Sequence, residues 1–149
     1  MDLWELDARE SIRDIVTRYN SNGDTGRFPQ VLELFAPDAV METTGPDGAT
    51  TVYRGIDEIA SIFTGTRERW AESAGRRSAP AYIRHCVFTH QIDVLDATHA
   101  RGRCYFQVIM AHGLDHWGRY IDQYEVREGR WVFTHRRVTT DGRIPESVG

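Results

Sequence analysis

The run Trp117-Gly118-Arg119-Tyr120-Ile121-Asp122-Gln123-Tyr124-Glu125-Val126-Arg127, then Glu128-Gly129, then Arg130-Trp131-Val132-Phe133-Thr134-His135-Arg136-Arg137-Val138-Thr139, decides the fold class. Aromatic and β-branched residues alternate with polar ones in both halves, the period of a strand with one buried face. Only Glu128-Gly129 separates the halves, and Gly supplies the positive φ that primed hairpin turns require. Upstream, Tyr82 to Leu95 and Ala100 to His112 have the same texture and are parted by the turn Asp96-Ala97-Thr98-His99. The expectation is four long, neighbouring, antiparallel strands.

The first half of the chain is helical. Ala8, Ile12, Ile15, Val16 and Tyr19 repeat at helical spacing, with Asp7 and Glu10 as a capping pair, so helix one is expected from about Ala8 to Ser21. Asn22-Gly23 closes it and leaves Asp24 just past its end. Phe28-Pro29 opens a second helix carrying Val31, Leu32, Leu34 and Phe35, which Ala36-Pro37-Asp38 stops. A small hairpin, Val40 to Thr43 and Thr50 to Arg54, turns at Gly45-Pro46-Asp47-Gly48. Ile56, Ile59, Ala60 and Phe63 mark a third helix, followed by a polar loop over Gly75-Arg76-Arg77-Ser78-Ala79-Pro80. Helices first and a meander after them give an α+β fold, with the helices on one face of a curved sheet.

Composition narrows the function classes. The 149 residues fit one domain, 1–149, and 40% hydrophobic content can supply a proper core. All 18 cationic side chains are Arg, so lysine Schiff-base chemistry and a Walker-type phosphate loop are excluded. A net charge of −4 with scattered arginines argues against a nucleic-acid partner. The acidic start at Met1-Asp2-Leu3-Trp4-Glu5 does not read as a signal peptide, and no apolar run reaches membrane-span length. The expected setting is therefore cytoplasmic, with Cys86 and Cys104 as reduced thiols.

Six histidines are the place to look for chemistry. His99 and His116 fall in turns and read as solvated. Period-two alternation from Tyr82 sends His85 and His90 to opposite faces. On the next strand, Cys104, Phe106, Val108, Met110 and His112 share an uncharged face, which places His112 at the end of an apolar wall. His112 and His116 are four apart, but off a strand end rather than along a helix, so no metal site is expected. No nucleophile elbow, dinucleotide loop or Cys-x-x-Cys is present. Carboxylate plus imidazole remains, a pair suited to moving protons near neutral pH.

Helix one ending in Tyr19-Asn20-Ser21-Asn22-Gly23-Asp24, then Val31-Leu32-Glu33-Leu34-Phe35-Ala36-Pro37-Asp38-Ala39-Val40, then Tyr53-Arg54-Gly55-Ile56-Asp57-Glu58-Ile59, resembles the SnoaL-like branch of the nuclear transport factor 2-like superfamily. Ile83-Arg84-His85, Gly118-Arg119-Tyr120-Ile121-Asp122-Gln123-Tyr124, Gly129-Arg130-Trp131-Val132-Phe133 and Arg136-Arg137-Val138 continue the likeness in order. The resemblance implies a cone: a strongly bent antiparallel sheet closed by three N-terminal helices around an apolar internal pocket. Within the family the chain is similar to the scytalone dehydratase-like subgroup, which implies catalytic roles for Asp24, His85 and His112. His85, oriented by Asp24, would take a proton beside a carbonyl, and His112 would assist departure of the hydroxyl.

The same resemblance implies substrate contacts from Tyr120, Arg136 and Thr43, along a wall of Phe106, Val108 and Met110; Arg136 has a second reading as the structural partner of Asp122. Gly23 and Thr43 stand where that subgroup carries two tyrosines, which implies a different substrate. The activity expected is a cofactor-independent dehydratase, a lyase acting on a hydroxylated carbonyl compound of alicyclic, polyketide-like or steroid-like type. A ketosteroid-isomerase-like isomerase or a polyketide cyclase in the same pocket is the alternative, and a non-catalytic binding or oligomerisation domain a further one. Apolar residues on both sheet faces lead to an expected homodimer or homotrimer.

Overall fold

A computed structural model describes residues 1–73 and 82–147, with side chains of residues 70–73 left aside; the polar loop expected at Gly75 to Pro80 lies outside the described residues. Helix α1 (Leu3–Asp24) is longer than its apolar period suggests at both ends. Asp2 rather than Asp7 precedes its first turn, so Asp7 and Glu10 are not a capping pair. Gly23 stays helical, and the chain turns instead at Gly26 (φ 74°), where the Arg27 N–H reaches back to the Asn22 carbonyl. Ala8, Ile12, Ile15, Val16, Tyr19 and Asn20 are the buried stripe, and Asp24, one turn beyond Asn20, continues it.

Helix α2 (Phe28–Leu32) is shorter than expected. Phe35 belongs not to it but to strand β1 (Phe35–Thr44), because Phe35 pairs in parallel with Phe133 and the Phe133 N–H bonds the Leu34 carbonyl. Pro37, which has no N–H to donate, lies in the irregular stretch between the Phe35 and Val40 pairings. Strand β2 (Thr50–Arg54) and helix α3 (Ile56–Ser73) follow. Then come β3 (Ile83–Val94), β4 (His99–Met110), β5 (Gly113–Arg127) and β6 (Arg130–Arg143).

The six strands form one curled, unclosed sheet in the order β2-β1-β6-β5-β4-β3, with the helices on its concave face. All neighbours are antiparallel except β1 and β6, so the expectation of a wholly antiparallel sheet is corrected at that one junction. A crossover through β2, α3 and the meander brings the chain back beside β1, which makes that pair parallel. Gly118 lies in the middle of β5, where a Cβ would overlap the Thr139 carbonyl and stand 2.9 Å from the Phe106 ring. Its bare backbone lets that ring lie close against the sheet. No described helix is long and apolar enough to cross a membrane.

Two bulges redirect side chains. On β3 the pairing slips between Phe88 and Gln91, and Thr89 takes a positive φ of 52°. Beyond it the alternation inverts, so Ile92 pairs with inward-facing Gly102, and His90 faces the same way as His85 rather than the opposite way. On β5 the register skips Asp115, with Val108 opposite His116 and Ile109 opposite Leu114.

Candidate active site

A cavity of about 250 Å³ opens between the concave sheet and the helices. Its wall is mostly apolar, with Phe63, Ile62, Met41, Ile83 and Val138, and carries Asn20, Thr43 and Tyr120 as uncharged polar groups. Asp24 and His85 meet on its rim. The Asp24 Oδ1 to His85 Nδ1 distance is 2.5 Å, and the His85 backbone N–H donates to Oδ2 at 2.8 Å. A carboxylate can only accept, so Nδ1 carries the ring proton and Nε2 turns its lone pair toward the cavity. Asp24 reaches this point because α1 runs one full turn past Asn20 with its inner stripe intact.

A second pair faces the first. His116 lines the cavity, its ring centroid 6.2 Å from that of His85 and nearly perpendicular to it, with the Phe106 ring about equally far from both. His116 Nδ1 donates to Asp115 Oδ2 at 2.7 Å. Asp115 is fully buried and also accepts from Ser147 Oγ at 2.6 Å and from His112 Nε2 at 2.9 Å. Burial pushes the His116 pKa down, aided by the His85 and Arg143 charges and opposed by Asp115. Sequence reasoning set His116 aside as a loop residue. The signal that finds it is the inner-face period Tyr124, Asp122, Tyr120, Gly118 carried one step further upstream.

The structure brings Asp24, His85, Phe106, Tyr120 and Thr43 together at the cavity. It does not bring His112 there. Strand β4 stops at Met110, Ala111 and His112 form the turn to Gly113 (φ 104°), and His112 stands partly exposed with its Nε2 on Asp115. Val108 and Met110 are buried in the core beside the cavity rather than on its wall.

Arg136 is likewise corrected as a substrate contact, because it is sealed in the core with Asp122 as its partner. Its Nε is 2.9 Å from Asp122 Oδ1 and its Nη2 3.3 Å from Oδ2. Its guanidinium packs 3.8 to 4.4 Å from the ring centres of Tyr120, Tyr19 and Phe133. Burial works against its charge, and Asp122 chiefly offsets that and holds it charged. Tyr120 stacks on Phe106 at 4.7 Å and donates its hydroxyl to Asn20 Oδ1 at 3.1 Å, and burial holds its pKa well above the ordinary phenol value. His90, half-buried, is lowered to about 4 by desolvation and then by Arg13 and Arg136. Among the described residues, no three His, Cys, Asp or Glu side chains are grouped as metal ligands.

Solved structures share this architecture. A candidate scytalone dehydratase from Novosphingobium aromaticivorans is 19% identical, with a TM-score of 0.71 over 100% of this chain and 98% of its own. A hexachlorocyclohexane dehydrochlorinase, LinA-type3 from Novosphingobium barchaimii, is 18% identical, with a TM-score of 0.74 over 97% and 94%. The β subunit assigned to an aromatic-ring-hydroxylating dioxygenase of N. aromaticivorans is 16% identical, with a TM-score of 0.74 over 94% and 93%. At these identities the likeness is one of fold. None of the curated proteins matches the sequence. The SnoaL-like domain model matches residues 4–137, and with helices, sheet and cavity arranged as described, the chain belongs to the SnoaL-like domain family.

Proposed function

We propose that this chain is a cofactor-independent lyase that dehydrates a small hydroxylated carbonyl compound of alicyclic, polyketide-like or steroid-like type. The observation that carries the reading is His85, held by Asp24 through both its ring and its backbone, with Nε2 presented to an apolar cavity. An imidazole fixed in one tautomer by a carboxylate is a general base, and such a base contributes roughly 10²- to 10⁴-fold. His85 would take the proton next to the carbonyl, Asp24 would stabilise the imidazolium that forms, and Asn20 and Thr43 would position the substrate's oxygens. Apolar walls favour a hydrophobic, largely uncharged substrate.

The test is a panel of hydroxylated ketones screened by mass spectrometry for loss of water. Turnover that disappears in Asp24→Asn and in His85→Ala, with fold retained, supports the reading; a variant with near-wild-type kcat overturns it. Rearrangement of the panel without loss of water would move the assignment to an isomerase of the same base. For assembly we propose a homodimer or homotrimer covering the exposed aromatic outer face at Phe88, Tyr105 and Trp117. Light scattering that returns the monomer mass at micromolar concentration would remove that proposal.

A further inference from the structure

We infer that His116, oriented by Asp115, is the group that protonates the departing oxygen, a role the family resemblance implies for His112. The inference rests on the proposed dehydration and adds to it the second proton-transfer group. Three observations carry it. His116 lies on the cavity wall, whereas His112 does not. Its Nδ1–H is engaged by the Asp115 carboxylate, so Nε2 is the nitrogen left to the cavity, the arrangement that Asp24 imposes on His85. The two rings are 6.2 Å apart on the same side of the sheet, flanking Phe106, close enough for one substrate to lie against both.

The chemistry balances without any further reagent. His85 Nε2 takes the proton from the carbon beside the carbonyl, and the electrons of that C–H bond form the new C=C bond. The C–O bond at the neighbouring carbon breaks, its electron pair stays on oxygen, and that oxygen takes the Nε2 proton of His116, which enters the step as an imidazolium on the Asp115 carboxylate and is the more acidic for its burial, and leaves as water. His85 ends as imidazolium and His116 neutral with Nδ1–H still on Asp115; one proton returned through solvent resets both. Asp115, His85 on β3 and Arg143 on β6 are the charged groups that face His116. Because His85 and His116 face each other, charging one disfavours charging the other. Proton arrival at His85 therefore pushes the proton off His116 at the moment the leaving group needs it. His112 and Ser147 act through Asp115 as positioning residues, each donating to its carboxylate.

The experiment separates the two roles by leaving group. A β-hydroxycyclohexanone needs an acid to lose water, whereas the matching β-acetoxycyclohexanone loses acetate without one. His116→Gln keeps a donor for Asp115 and the packing beside Phe106. It is expected to slow hydroxyl elimination at least about a hundredfold and to leave acetate elimination within a few-fold of wild type. His85→Gln is expected to lose both. If His116→Gln eliminates water at the wild-type rate, or loses both reactions equally, the acid assignment is overturned while the base assignment stands. If His85→Gln retains both, the proposed function falls and the acid assignment with it. Should wild type turn over neither ketone, nitrogen-15 titration of the histidine rings decides: the His116 midpoint must rise in His85→Phe, and a midpoint that stays put overturns the inference.

Discussion

Arg136 with Asp122 and His85 with Asp24 are the same kind of pair, a nitrogen side chain held by a carboxylate on the concave side of one sheet. Asp122 and Arg136 are register partners on β5 and β6, enclosed by Tyr19, Tyr120, Tyr124 and Phe133, and both side chains are wholly inaccessible. Asp24 and His85 come from α1 and β3 and keep one ring nitrogen at the cavity, with 22% of the His85 side chain accessible. The difference is access. A guanidinium that is always charged and sealed among aromatic rings can hold structure but cannot exchange a proton, whereas an imidazole with one nitrogen at a cavity can.

The comparison breaks first if the cavity pair is structural. Asp24→Asn and His85→Ala should each lower kcat/KM for a dehydrated ketone by roughly 10²- to 10⁴-fold. The double variant should be little worse than either single one, since the pair acts as a unit. Urea denaturation should show each variant within about 1 kcal/mol of wild type, as for changes outside the sealed core. Asp122→Ala should do the reverse. Removing one partner leaves a buried, uncompensated guanidinium, a cost of about 3–5 kcal/mol. A loss below about 1 kcal/mol would show that the interior pair is less sealed than its geometry indicates.

The pH dependence of stability sharpens the contrast from the interior side. His90 is held neutral in the folded chain down to about pH 4, whereas an unfolded chain takes up that proton near 6.5. Between those values the unfolded state binds more protons, so stability falls as pH drops through this window and the contribution levels off below it. His116, also depressed, adds a fall of the same sign just below 6.5. Urea midpoints measured across the window should decline, and His90→Gln should flatten the decline; an unchanged slope would mean that His90 titrates like an exposed ring.

The smallest effect concerns the bulge that turns His90 inward. Thr89 is a β-branched residue at φ 52°, so Thr89→Gly should relieve strain and raise stability by about 0.5–1 kcal/mol without moving His90. Lower stability in that variant would show the Thr side chain to be holding the bulge.

The features legible in the sequence were the ones that depend on period. Alternation found the four long strands, helical spacing found the buried stripe of α1, and the resemblance placed Asp24 and His85 where they meet. What stayed hidden depends on single-residue departures from period. One extra residue at Thr89 reverses His90, and the turn at Ala111-His112 takes His112 out of the inner-face period of β4, while His116 keeps that of β5. The Thr89 bulge carries no Gly or Pro that would announce it. Arg136 offered two readings because a buried arginine looks the same in sequence whether it faces a substrate or a carboxylate; only the pairing with Asp122 across β5 and β6 decides.

Gly118 has a consequence for how this cavity could be re-shaped by directed evolution. A side chain there would collide with the Thr139 carbonyl and the Phe106 ring, so the sheet under the Phe106 ring is closed to mutational drift toward larger residues. The opposite wall is built from Ile62, Phe63 and Thr66 on α3, whose side chains can be exchanged without disturbing a strand pairing. A library aimed at new substrates should therefore randomise the helix and leave Gly118 and Phe106 alone, because breadth of substrate range is available on one side of this pocket and foreclosed at that point of the other.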